Sequence, residues 1–129
     1  VNVRPDGRRF LVLDAAMNDL IRPAMYEAFH DIRPVRAPVA DAALEPYDVV
    51  GPVCETGDTF ARDRELPPLA SGDLVAFMSA GAYGAVMASE YNSRPLAPEV
   101  LVHGDQFALV RPRPTYAHML AAEPLAPWL

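Results

Sequence analysis

Tyr47-Asp48-Val49-Val50-Gly51-Pro52-Val53-Cys54-Glu55-Thr56-Gly57-Asp58 decides the reading of this chain. Its first half alternates and ends apolar, the pattern of a strand with one face in a core. Pro52 lacks an amide proton, so the end of that strand, read here as Tyr47 to Val53, lies at an edge or a bulge. Its second half places a thiol, two carboxylates and a glycine within five residues. Gly57 permits a sharp turn that could aim Cys54 and Glu55 the same way. Such a turn could present a proton donor and an ammonium-binding carboxylate to a ligand. Composition alone favours the plainer reading, a polar turn that closes a strand, with a small buried cysteine.

Working outward, Arg9 to Asp14 is a short apolar run after Asp6-Gly7 and reads as a largely buried strand. Pro23 is best tolerated at the first position of a helix. The segment Asn18 to Phe29 therefore predicts a tight turn at Asn18-Asp19-Leu20 and a short helix starting near Pro23. Arg22 and Tyr26, four residues apart, fall on one side of that helix. A guanidinium and a phenol so placed suit a carboxylate, although a surface Arg beside a half-buried Tyr has the same pattern. Arg33 to Pro46, with three prolines, reads as a loop. Thr56 to Asp73 is mostly polar and reads as a long excursion, a kind of segment that often serves function.

Asp73 to Met78 reads as a third strand. Ser79 to Asn92 is rich in small residues and should pack closely against something. Within it, Ala80-Gly81-Ala82-Tyr83-Gly84 offers glycines and one phenol that could meet a phosphate, but it lacks the spacing of the phosphate-loop and dinucleotide fingerprints. Gly104-Asp105 separates two apolar runs, Glu99 to His103 and Gln106 to Arg111, and predicts a hairpin. Thr115 to Glu123 reads as a terminal helix. Short strands with proline-rich connections imply a mainly β domain, a Greek-key-like barrel or sandwich with short helices.

Composition narrows the function. The 129 residues suffice for one domain, residues 1–129. A net charge of −6 argues against a nucleic-acid partner, and no apolar run approaches membrane-spanning length. The single cysteine excludes an internal disulfide and fits a reducing, cytoplasmic setting. His30, His103 and His118 are scattered, and no metal-ligand spacing is present. All eleven basic residues are arginine. Without lysine, no side chain can form an imine with an aldehyde cofactor. The start at Val1 reads like a chain cut from something longer.

Three segments in order resemble one family. Leu13-Asp14-Ala15-Ala16-Met17-Asn18-Asp19-Leu20-Ile21-Arg22-Pro23-Ala24-Met25-Tyr26 is similar to its Asp-Ala-Gly-Met-Asn-Asp-Leu-Ile-Arg-Pro-x-x-Tyr segment. Val50 to Asp58 is similar to its Gly-Pro-x-Cys-Glu-Ser-Gly-Asp segment. Ala80 to Gly84 with Met87-Ala88-Ser89, followed by Tyr91-Asn92-Ser93-Arg94-Pro95, resembles the third. The family is diaminopimelate decarboxylase, among the alanine-racemase-like, fold-type III pyridoxal-phosphate enzymes. Departures are Ala16 for Gly, Thr56 for Ser, and Leu96-Ala97 after Pro95.

The resemblance implies a C-terminal β domain that completes the site of an N-terminal (β/α) barrel, which holds pyridoxal 5'-phosphate and is not in this chain. It implies a homodimer with active sites at the interface. Arg22 and Tyr26 would bind a substrate carboxylate, and Tyr83 would contact substrate and cofactor. Cys54 would be the catalytic proton donor and Glu55 would hold the distal amino group, both in the partner's site. The expected reaction is decarboxylation of meso-2,6-diaminopimelate to L-lysine. Two other readings remain open: a sister decarboxylase of ornithine, arginine or carboxynorspermidine, and a non-catalytic stand-alone binding domain.

Overall fold

The computed structural model describes residues 1–129. The chain divides into two compact units, Val1–Ala88 and Ser89–Leu129.

The first unit holds a four-stranded sheet in the order β1-β2-β4-β5. The strands are β1 (Asn2–Val3), β2 (Arg9–Val12), β4 (Glu45–Val50) and β5 (Thr59–Leu66). A tight turn joins the first two, with Gly7 at φ +85 and the Gly7 amide donating to the Arg4 carbonyl at 2.9 Å. Asp6 accepts the Arg8 amide at 3.1 Å and the Arg8 guanidinium at 2.9 Å, and these bonds hold its carboxyl below the usual carboxylate range. β2 pairs parallel with β4, Leu11 opposite Val49. A parallel pair needs a crossover, and the long connection between them supplies it. That connection carries the helix α1 (Arg22–Tyr26) and the strand β3 (Ile32–Pro34). β3 pairs antiparallel with β6 (Val75–Phe77), Ile32 opposite Phe77.

The core lies where these two sheets meet. Leu11, Leu20, Ile32, Tyr47, Val49, Phe60 and Leu66 form one buried cluster. Phe60 of β5 and Phe77 of β6 join the sheets, with ring centroids 4.8 Å apart and tilted by 50°, a favourable aromatic geometry.

The second unit contains a hairpin, β7 (Glu99–His103) with β8 (Gln106–Arg111), and a short helix, α3 (Tyr116–Ala121). Gly104 has φ +60 and Asp105 does not share a positive φ, as a type II′ two-residue turn requires. Thr115 caps α3, its hydroxyl accepting the His118 amide at 3.2 Å.

The chain is mainly β with short helices, as the sequence implies. Its sheets are open and no barrel closes. Three local expectations need correction. The stretch from Arg33 to Pro46 is not all loop: β3 runs to Pro34, and β4 begins at Glu45 rather than Tyr47. β4 also ends at Val50, so Gly51 and Pro52 already belong to the turn. The excursion from Thr56 to Asp73 contains β5, an eight-residue strand. Asp63, at φ 47, bulges out of it, and its amide donates to Asp48 Oδ1 at 3.1 Å.

Candidate functional site

Arg22 opens α1, with Pro23 in the first turn, where its missing amide proton costs nothing. The turn ahead of the helix is tied by Asp19, whose Oδ2 accepts the Ala16 amide at 2.9 Å while its own amide donates to the Ala16 carbonyl at 2.8 Å. Leu20 enters the core directly after this turn. Arg22 is therefore anchored close to buried structure and is itself half-buried.

A second element comes to it. The short helix α2 (Gly81–Gly84) buries Gly84. A Cβ there would stand 3.4 Å from Leu20 Cδ1, so glycine lets this helix settle on the same leucine that precedes Arg22. The close packing expected of Ser79 to Asn92 is found at Gly84, whereas Gly81 to Tyr83 and Ser89 to Asn92 are exposed. The seat of Gly84 on Leu20 brings Tyr83 beside Arg22: the guanidinium lies 5.5 Å from the Tyr83 ring centroid and 5.7 Å from that of Tyr26. Both distances are in cation–π range. Tyr26 is 59% exposed and Tyr83 is 63% exposed, so both phenol edges are open to a ligand. One guanidinium and two phenols converge, a set suited to an anionic group.

Cys54 and Glu55 lie on the turn between β4 and β5, and both are exposed. Cys54 is a free thiol rather than a small core residue. Backbone bonds close the turn, from the Asp58 amide to the Glu55 carbonyl at 3.0 Å and from the Thr59 amide to the Gly57 carbonyl at 2.7 Å. Glu55 Oε1 accepts the Gly57 amide and the Thr56 hydroxyl, each at 3.2 Å. These bonds steady the carboxylate while the side chain stays exposed. No hydrogen bond, ion pair or ring contact joins Cys54 or Glu55 to the Arg22 group. The two sets are separate features of this unit.

One residue of the turn was given no role by sequence reasoning. Asp58 is only 3% exposed. Its Oδ1 accepts the Met17 amide and its Oδ2 accepts the Val53 amide, both at 2.7 Å. A buried carboxylate is tolerated when its oxygens are so engaged. The one signal in the sequence is a carboxylate that closes a strand-end turn, and it does not reveal a partner as distant as Met17.

No group of three His, Cys, Asp or Glu side chains is arranged to hold a metal. His30 is buried in the core, its Nδ1 3.2 Å from the Met78 carbonyl. No helix is long and apolar enough to cross a membrane.

The family model for the C-terminal sheet domain of pyridoxal-dependent decarboxylases matches residues 1–81. The chain belongs to that family. Diaminopimelate decarboxylase of Pseudomonas aeruginosa is 57% identical over 95% of the chain, which spans 29% of that protein. The enzyme of the same name from Zymomonas mobilis is 52% identical over 94% of the chain and 28% of its own length. The crystal structure of diaminopimelate decarboxylase from M. jannaschii in complex with L-lysine superposes with a TM-score of 0.89 at 38% identity, over 99% of the chain and 29% of that protein. The chain thus spans less than a third of the decarboxylases it matches. Both the Arg22 group and the Cys54 turn lie inside the stretch matched by the family model, apart from Tyr83 just beyond its end.

Proposed function

We propose that residues 1–129 act as the C-terminal β domain of a diaminopimelate decarboxylase, releasing carbon dioxide from meso-2,6-diaminopimelate to give L-lysine. In this reading the chain works only with an N-terminal barrel of the same enzyme, in a cytoplasmic homodimer. The observation that carries the reading is the pairing of two separate features: an exposed Arg22-Tyr26-Tyr83 cluster and an exposed Cys54-Glu55 turn. The substrate has an amino acid group at each end, and the two features match those two demands.

The residues present suit an anionic group of pyridoxal phosphate and cannot supply the anchor for its aldehyde. The open Tyr83 phenol beside a guanidinium suits an anionic group, whereas the chain has no lysine to anchor the aldehyde. Anchoring therefore falls to the barrel. When bound, the cofactor supplies the electron sink for loss of carbon dioxide.

The remaining work belongs to side chains of this chain. Arg22 grips a substrate carboxylate with its planar fork, and Tyr26 adds a directional hydroxyl. Two rings within cation–π range favour this placement of the guanidinium before substrate arrives, so less binding energy is lost to ordering. Tyr83, its phenol open beside that guanidinium, would help hold an anionic group of the cofactor. Glu55 accepts hydrogen bonds from the distal ammonium, and a site built for that group discriminates against substrates lacking it. Cys54 gives its proton to the carbon from which carbon dioxide has left, acting as general acid. In the homodimer, Cys54 and Glu55 serve the partner's site, which suits their separation from the Arg22 group.

The test is to express the chain joined to, or together with, its barrel and to measure lysine formation and the cofactor's absorbance. Lysine from diaminopimelate, lost in Cys54→Ala and Glu55→Ala, is the expected outcome. Turnover of ornithine or arginine in preference to diaminopimelate would reassign the substrate. Full activity in both variants would overturn the roles of the turn.

A further inference from the structure

The turn that carries Cys54 and Glu55 is already closed by its own backbone, through the Asp58 amide to the Glu55 carbonyl at 3.0 Å and the Thr59 amide to the Gly57 carbonyl at 2.7 Å. The buried carboxylate of Asp58 adds two further bonds at the base of the turn. Oδ2 takes the Val53 amide at 2.7 Å, fixing the Pro52–Val53 peptide one residue ahead of Cys54. Oδ1 takes the Met17 amide at 2.7 Å, in the segment that leads to Arg22. Gly51 makes room for this arrangement, since a Cβ at that position would collide with both carboxylate oxygens. The Gly51 amide also donates to the Asp58 carbonyl at 3.0 Å, so the two backbones are locked together at that point.

We propose that Asp58 is a positioning residue that sets the direction in which Cys54 and Glu55 are presented and ties that turn to the segment carrying Arg22. The inference rests on the roles of Cys54 and Glu55 proposed above. Two amides from different segments need two acceptors in one plane, and a carboxylate supplies both. An asparagine of nearly the same shape has one acceptor, and its NH2 would face one of the amide protons. With no side-chain acceptor, the Pro52–Val53 peptide loses its anchor, and the approach of the chain to Cys54 is then held only from the other side, by the Glu55 amide on the Val53 carbonyl at 2.8 Å.

The experiment uses the holoenzyme, this chain with its barrel, and the Asp58→Asn variant. Two readouts are taken: kcat for carbon dioxide release, and the rate at which iodoacetamide alkylates Cys54, followed by the mass of the peptide that contains it. Asp58→Asn should lower kcat at least tenfold, change the alkylation rate at least threefold and abolish protection of Cys54 by L-lysine, with cofactor absorbance unchanged. Val49→Ala, a core truncation on the same sheet, should lower the melting temperature and leave both readouts alone. Gly51→Ala reaches the same carboxylate from the other side and should reproduce the Asp58→Asn effect. In an Asp58→Ala background it should add little, because the colliding oxygens are gone. If Asp58→Asn fails to fold, Gly51→Ala decides. Wild-type kcat and alkylation in either folded variant, whatever the melting temperature, overturn the proposal. A wild-type enzyme that releases no carbon dioxide from diaminopimelate overturns the functional reading instead, while the alkylation rates still decide the role of Asp58.

Discussion

The guanidinium of Arg22 lies 5.5 Å from the ring centroid of Tyr83. The two residues come from different helices that meet over Leu20, so the contact depends on tertiary packing and not on local spacing. Arg22→Lys should therefore do more than exchange one cation for another. Lysine offers neither the planar fork nor the stacking face. A charge-assisted hydrogen bond is worth about 1.5–3 kcal/mol, so the variant should raise the KM for diaminopimelate by about tenfold to a hundredfold. Steady-state kinetics on the holoenzyme would show it. An unchanged KM would remove Arg22 from the carboxylate site.

Cys54 is exposed at the tip of its turn, where alanine costs no packing. Cys54→Ala should leave the melting temperature within about 0.5 kcal/mol equivalent of wild type. As Cys54 is the proposed general acid, its loss should lower kcat by about 10²–10⁴ with KM little changed. Single-turnover measurement of lysine formation separates the proton step from binding. A parallel loss in melting temperature would instead mark Cys54 as structural.

Phe60 is the link between the two sheets of the first unit, buried against Phe77 at 4.8 Å. Phe60→Ala should destabilise by about 3–5 kcal/mol, measured by denaturant unfolding. The strand that carries it is the part of the fold least legible in the sequence. Arg62-Asp63-Arg64-Glu65 reads as a polar excursion, yet the Arg64 guanidinium lies over the Phe29 ring, 4.3 Å from its centroid, and donates to the His30 carbonyl at 2.9 Å. The charged stretch is paired on one side only, and its arginine is absorbed by contacts distant in sequence. By contrast, the helix at Pro23 and the Gly104-Asp105 hairpin depend on local backbone chemistry and were readable. The same division holds for the site. Cys54, Glu55, Arg22 and Tyr26 could be singled out from local patterns. The approach of Tyr83 to Arg22 and the grip of Asp58 on Met17 arise only from packing.

Tyr47 is buried, and its hydroxyl donates to Glu45 Oε2 at 2.8 Å. Desolvation, then that bond to a carboxylate, raises its phenol above the ordinary value of 10.0. The sign follows from proton binding. Above the ordinary value the unfolded chain gives up this proton first, so the folded state binds more protons and stability falls as pH rises. The contribution is fully present below pH 10.0 and is lost as pH climbs through the raised value. Tyr47→Phe should flatten that alkaline fall. At neutral pH it should cost about 0.5–1.5 kcal/mol for the lost hydrogen bond. Melting temperatures recorded between pH 7 and pH 11 would test both halves, the upper limit being about one unit above the reference tyrosine.

The hairpin of the second unit leaves apolar side chains uncovered within that unit. Val102 is 66% exposed, Phe107 80% and Leu109 58%. A two-stranded hairpin is marginal on its own, and contiguous exposed apolar surface of this kind marks a face that meets another protein surface. In the proposed enzyme the barrel and the partner subunit would provide that cover. The chain expressed without its barrel should therefore associate as concentration rises, giving sedimentation masses above the 14.1 kDa of one chain. Phe107→Glu places a charge on the apolar strand opposite Val102, and should shift the isolated chain towards the monomer. The same substitution in the whole enzyme should weaken its assembly, because a buried unpaired carboxylate is costly. A wild-type chain that stays monomeric at high concentration would show that this face is stable in water, and would favour the stand-alone domain over the enzyme part.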